Sequence, residues 1–246
     1  MRGSFISFSA MLITLGFVGS SVLASIPQKF NKSPIEKILA EKNDGKFKEL
    51  RRLGPHVYGD LRKLAFDSER ALGIRWQAFM ALVRLGEKES LPEINAALQS
   101  QEWFLKDAAL RVLPVLDPGL AYRAAMAKLD DSALVVRTAA VDVLAEVKNS
   151  KCSEKLWGQL YSKENYIKHQ SLWIRRHIVE ALAEVAPMGS EEKFMKVLDD
   201  ADSSLFAPAI KGLERLTGKK LGDSNLPPVY RRYFWKKWYA EKIKKS

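Results

Sequence analysis

Three histidines and one cysteine are all that this 246-residue chain offers for metal or thiol chemistry, and their settings do not favour it. His56, His169 and His177 are scattered along the sequence. His177 stands at helical i,i+3 spacing from Glu180, but Arg175 and Arg176 beside it oppose a bound cation. Cys152 is alone and cannot form an internal disulfide. Lys151 next to it favours a thiolate slightly, but a half-buried small residue between repeats is the plainer account. No HExxH, no paired-cysteine site, no phosphate-binding glycine loop and no GxSxG occurs. The expectation is a protein with no catalytic residue, no metal ligand and no cofactor.

Binding chemistry is better represented. Tyr161, Tyr166, His169 and Trp173 crowd one short stretch, followed at once by Arg175 and Arg176. A second cluster lies near the C-terminus, where Tyr230, Tyr233, Phe234, Trp235, Trp238 and Tyr239 alternate with Arg231, Arg232, Lys236 and Lys237. Aromatic and arginine side chains are enriched at the centres of protein interfaces. Basic and aromatic residues together also suit an anionic membrane surface.

A recurring nine-residue pattern supplies the elements that must position these side chains. It reads Ile74-Arg75-Trp76-Gln77-Ala78-Phe79-Met80-Ala81-Leu82 and returns at 105–113, 136–144 and 174–182, with a degraded copy at 205–213. Successive copies begin 31, 31, 38 and 31 residues apart. Such a period marks a solenoid of stacked helical units. Counted from zero, positions 0, 4, 5, 8 and 11 are apolar in every copy, a helical stripe wide enough to pack on two neighbours. Position 4 is small in Ala78, Ala109, Ala140 and Ala209, which permits close helix contact. Each copy is therefore expected to be the second helix of a pair, with first helices at 58–66, 91–99, 120–129, 153–161 and 191–198.

This pattern resembles the HEAT repeat. The resemblance covers about residues 58–218 and implies an all-α fold: an α-solenoid, a right-handed superhelix of about five HEAT-like helical pairs. In that family an acidic residue six positions before a basic one links adjacent repeats in a hydrogen-bonded ladder. Glu69 with Arg75 and Asp131 with Arg137 keep the spacing, whereas Ser100 with Lys106, His169 with Arg175 and Asp200 with Phe206 depart from it. A partial ladder is expected. A Leu216-Thr217-Gly218 stop followed by a Trp-x-x-Trp helix resembles the tail of exported bacterial HEAT-repeat proteins, and implies a capping helix within 219–246 that hides the open end of the stack. HEAT-like folds also occur in alkylpurine DNA glycosylases and bilin lyases, so the fold does not settle function.

Charge bears on the partner. The net charge is +11, yet residues 61–218 carry 22 basic and 22 acidic side chains, while 219–246 carry nine and two. HEAT repeats line their concave face with second helices, which implies positions 2, 6 and 10. These include Trp76, Met80, Arg111 and Arg176, and each row is neutral overall. Nucleic acid needs a continuous basic groove with many phosphate contacts, which is absent here. A protein or peptide partner suits exposed Trp76 and Met80 better, unless both pack under the N-terminal segment. The 38-residue interval carries a seven-residue insertion within 161–173, the best place for a specificity element unless it is neutral loop drift. The basic tail (Arg231, Arg232, Lys236, Lys237) offers an alternative contact with anionic lipid or an envelope polymer. Helical spacing predicts that the aromatics of that tail dock while Arg232, Lys236, Lys237 and Lys244 face outward.

The N-terminus implies export. Arg2 precedes an uncharged run from Phe5 to Leu23, and Val22-Leu23-Ala24 places small residues where a signal peptidase cuts. Residues 1–24 are expected to be a cleavable leader, 25–57 an N-terminal cap or linker, and the product a periplasmic or secreted monomer. The rival interpretation is a retained anchor, because the run is about long enough to span a bilayer. Gly16, Gly19 and Ser20-Ser21 favour removal. N-terminal sequencing of the chain recovered from the exporting cell is expected to begin at Ser25; a start at Met1 would identify an anchor instead.

Overall fold

The computed structural model describes residues 33–43 and 45–244. The expected leader, 1–24, lies outside them. The fold is all-α in character: thirteen α-helices and a single two-stranded hairpin are found among the described residues. Two short helices, α1 (Pro34–Leu39) and α2 (Gly45–Arg52), come first. Five pairs follow: α3 (His56–Phe66) with α4 (Leu72–Gly86), and α5 (Leu91–Gln99) with α6 (Trp103–Leu116). Next come α7 (Pro118–Lys128) with α8 (Leu134–Val147), then α9 (Ser153–Leu160) with α10 (Ile174–Val185). The last pair is α11 (Glu191–Val197) with α12 (Phe206–Thr217), and α13 (Pro228–Ile243) closes the chain. No helix among the described residues is long and apolar enough to cross a membrane.

Each pair packs internally, and α4, α6, α8, α10 and α12 touch one another in succession. The repeated apolar stripe explains this arrangement. Positions 4, 5 and 8 of every copy are buried, from Ala78, Phe79 and Leu82 to Ala209, Ile210 and Leu213. Alanine at position 4 brings the backbones close enough for both neighbours to share one core. The observed first helices lie within two residues of the expected ones. The largest shift at a helix start is in α3 and α7. In α7, Pro118 fixes the first turn and the Asp117 side chain accepts from Leu120 N–H at 2.8 Å, so the helix begins at Pro118 rather than Leu120. Gly212 marks one close approach, since a Cβ there would sit 2.5 Å from the Phe194 ring.

Position 1 carries the polar counterpart of this core. Arg75, Lys106, Arg137 and Arg175 are all buried, and each donates to a side-chain acceptor belonging to the next pair. Arg75 Nη1 reaches Glu102 Oε1 at 3.0 Å, and Lys106 Nζ reaches Asp131 Oδ2 at 2.6 Å. Arg137 Nε reaches Asn165 Oδ1 at 3.3 Å, and Arg175 Nη2 reaches Asp200 Oδ2 at 2.5 Å. Backbone carbonyls take the remaining protons: Arg75 donates to Ala65, Arg137 to Asp131, Ser132 and Glu164, and Arg175 to Leu160. The ladder is therefore more continuous than the six-residue spacing implies. Glu102 and Asn165 act where Ser100 and His169 do not, because an acceptor two residues later in the first case and four residues earlier in the second reaches the cation of the preceding pair.

Phe206 takes position 1 in the last pair, and the ladder ends there. Arg232 of α13 lies over its ring, 4.8 Å from the centroid, and α13 packs on α11 and α12. Trp235 is completely buried, while Trp238 and Tyr239 pack at the edge of the core. Arg231 pairs with Glu214, and Lys236 with Asp199. The tail differs from expectation in two ways. Tyr230 and Phe234 stay exposed instead of docking, and Arg232 and Lys236 turn toward the body instead of away from it. Partners on the body explain the second difference: Arg232 meets the Phe206 ring and the Leu198 carbonyl, and Lys236 meets Asp199 just past α11, contacts that a bare helical wheel cannot show.

Asp131 gives the ladder a pH dependence. Burial disfavours its carboxylate, but the hydrogen bonds from Lys106 and from Ala133 N–H, with the charges of Lys106 and Lys128, outweigh burial and hold the carboxyl below its ordinary value. A lowered native value adds stability above the unfolded value of about 4, and that stability disappears as pH falls through the native value. Asp131→Asn leaves Lys106 buried without its counter-charge and is expected to cost about 3 kcal/mol at pH 7. The wild-type advantage should fade in urea unfolding as pH drops below about 4 and be gone once pH has fallen through the lowered native value, where both chains are neutral at that position.

Candidate protein-binding groove

Trp76, Met80 and Arg111 meet in one groove of about 820 Å³. α4 supplies Trp76, Gln77, Met80, Val83 and Arg84; α6 supplies Arg111, Val112, Val115 and Leu116. Helical spacing explains the set, because positions 2, 6 and 10 of one helix rise one above another on the face that the core does not use. Lys46 and Phe47 of α2 form one wall, and the turn at Glu87, Lys88 and Glu89 forms another. The Arg84 guanidinium lies 4.0 Å from the Phe47 ring centroid. α2 therefore narrows the groove without covering it. Trp76 remains 42% exposed and Val115 85% exposed, which is unusual for side chains of their kind. Pro114 inside α6 provides no N–H for the Leu110 carbonyl, so the helix is weakened where Val115 stands out. Val115 stands at position 10 of the second copy, on the face that the register assigned, whereas Phe47 lies outside the repeats and the register could not single it out.

From this groove a chain of ion pairs runs along the second helices. Arg111 holds Asp107 at 3.0 Å and approaches Asp142 at 3.7 Å. Asp142 Oδ1 is 2.7 Å from His177 Nδ1, and the His177 ring meets Trp173 edge-on at 5.5 Å between centroids. Arg176 pairs with Glu180 at 2.8 Å and lines a smaller hollow of about 490 Å³ with Asp142, His177 and Lys211. Burial raises the Asp107 carboxyl above its ordinary value, with Arg111 offsetting part of the effect. Thr138, expected on this face, is buried and donates its hydroxyl to the Leu134 carbonyl. Charges along this face of the second helices thus pair with one another, leaving the apolar groove as the concentrated feature of that face among the described residues.

The insertion is largely structural. Lys163–Asn165 forms a single 3-10 turn, and Tyr166–Ile167 (β1) pairs antiparallel with Gln170–Ser171 (β2). Its residues are tied to the ladder on both sides. Asn165 is fully buried and accepts from Arg137, while Ser171 Oγ accepts from Arg175 Nη1 at 3.1 Å. Tyr166 and Tyr161 flank the Arg175 guanidinium at 4.6 and 5.5 Å from their ring centroids. Burial pushes both phenols above their ordinary values. Of the aromatic side chains assigned to a specificity loop, Tyr161 and Tyr166 therefore shield a ladder cation. His169 sits at the hairpin tip, and Trp173 stays exposed beside His177. Neither they nor Arg176 line the Trp76 groove.

No group of His, Cys, Asp or Glu among the described residues is arranged to hold a metal ion. Cys152 is buried, its thiol donating to the Asn149 carbonyl, and burial raises its pKa above the ordinary value. A neutral, buried thiol fits packing better than nucleophilic chemistry. Compared with protein-family models and with curated proteins, the chain matches none of them.

At the hairpin tip Lys168 and His169 have φ of 47° and 66°, a pair of left-handed residues of the sort that two-residue hairpins normally fill with Asn-Gly. Neither side chain gains a buried contact in return. Lys168→Asn/His169→Gly is expected to raise stability by about 1 kcal/mol in urea unfolding.

Proposed function

We propose that this chain is an exported, non-enzymatic scaffold or adaptor of the α-solenoid class, built from HEAT-like helical pairs, that holds a protein or peptide partner in the Trp76 groove. In this reading the five pairs form a right-handed superhelix spanning 58–218, the N-terminal segment and α13 cap its ends, and the leader directs a monomer to the periplasm or outside the cell. The second-helix row with one apolar stripe facing its neighbours and the recurring period support the solenoid assignment.

One observation carries the function: an open groove with an exposed tryptophan, a half-buried methionine and an almost fully exposed valine, bordered by charged side chains of both signs. Aromatic and Met side chains in a concave apolar site with a polar rim are the features of an interface centre. Nucleic acid fits poorly, because Asp107, Asp142, Glu180 and Glu184 interrupt any basic track along the same helices. Relative to the wider set of residues first assigned to the partner, the reading now rests on Trp76, Met80 and Arg111, with Phe47 and Val115 added.

A pulldown from envelope extract tests it. Trp76→Ala/Val115→Ser removes the anchor side chains from a surface and leaves the core intact, so thermal unfolding should not move. The proteins captured by wild type are expected to fall by roughly tenfold or more, in line with losing one interface hot spot. Equal recovery by both chains would overturn the groove assignment.

A further inference from the structure

The outer face of α13 is a second surface that the groove does not explain. Trp235, Arg231, Arg232 and Lys236 all point into the body and fix the rotation of this helix. The consequence is that Tyr230 and Tyr233 are held 63% and 65% exposed, one helical turn apart, next to exposed Val229, Phe234 and Leu226. These five line a hollow of about 780 Å³ that contains no acidic side chain; its other walls are Arg232 and Lys236. Beyond the rings lie exposed Lys237 on the helix and Lys244 just past its end, and Lys219 and Lys220 are exposed on the segment leading into it. The acidic residues of the same stretch are Asp223 and Glu241, so the cations remain in excess.

From this face we infer that the C-terminal end of the molecule docks on an anionic phospholipid surface, with Tyr230 and Tyr233 entering the headgroup region and the lysines pairing with lipid phosphates. Tyrosine suits that boundary because its ring is apolar and its hydroxyl wet. Lysine suits it as well, since a compact ammonium attracted to anionic lipid needs no fixed partner geometry. The same lysines argue against a protein partner, because lysine is depleted at interface centres. A second copy of this chain would oppose one basic tail to another, which charge repulsion disfavours.

Flotation of the chain recovered from the exporting cell tests the inference, using vesicles of mixed phosphatidylglycerol and phosphatidylcholine against vesicles of phosphatidylcholine alone. The measured quantity is the ratio of the two. Wild type is expected to float at least roughly tenfold more on the anionic vesicles at low salt, and to lose that preference at high salt. Both Tyr230→Ser/Tyr233→Ser and Lys219→Glu/Lys220→Glu/Lys237→Glu should bring the ratio near one, with unchanged thermal unfolding. Trp76→Ala/Val115→Ser should float as wild type does, which keeps this outcome separate from that of the groove. A wild-type ratio of one, a tyrosine variant that retains the preference, binding to soluble polyglutamate in place of vesicles, or a dimer in solution that the tyrosine variant abolishes would each overturn it.

Discussion

Four cations inside an apolar stack set the terms for the rest of this molecule. Arg75, Lys106, Arg137 and Arg175 occupy the same position in successive second helices, and Arg175 is only 1% exposed. A buried charge without a partner costs far more than the packing around it returns. Each cation therefore requires acceptors; one side-chain acceptor lies in the following pair of helices, and carbonyls of the cation's own pair take further protons of Arg75, Arg137 and Arg175. Apolar contact between neighbouring pairs is tolerant of sliding and rotation, whereas a guanidinium seated on one carboxylate and several carbonyls is not. The apolar stripe supplies adhesion between pairs; the ladder supplies their register.

That requirement accounts for the irregular features. The insertion in the fourth interval is kept close to the body because Asn165 must receive Arg137, and Ser171, Tyr161 and Tyr166 surround Arg175. Its left-handed tip residues are the cost of folding back within two residues. At the end of the series Phe206 replaces the cation, so no further acceptor is demanded. Arg232 covers that ring from outside, Trp235 fills the apolar space, and the stack stops.

With basic side chains drawn into the ladder and the surface pairs, little free charge is left on the body. Arg111, Asp107, Asp142 and His177 satisfy one another along the second helices. Two surfaces escape this mutual satisfaction. The Trp76 groove is apolar because α2 approaches but does not cover it, and the outer face of α13 is aromatic because the opposite face is pinned. They lie on elements from opposite ends of the chain, and each is proposed to meet a different kind of partner.

The sequence by itself determined a good deal. Apolar residues at positions 4, 5 and 8 located every second helix and its buried face, because helical periodicity is a local property that one strand of text displays. Trp76, Met80 and Arg111 were placed on one face by the same register, and they do converge on one groove. Other features were decided only by tertiary structure. Glu102 and Asn165 became ladder acceptors because a turn brings them within reach of a cation 27 or 28 residues earlier, a distance no spacing rule encodes. Tyr161 and Tyr166 became covers for Arg175, and Arg231 and Lys236 found Glu214 and Asp199, for the same reason. A helical wheel says which side chains share a face. It cannot say which face will meet a charge of opposite sign, because that charge belongs to another helix.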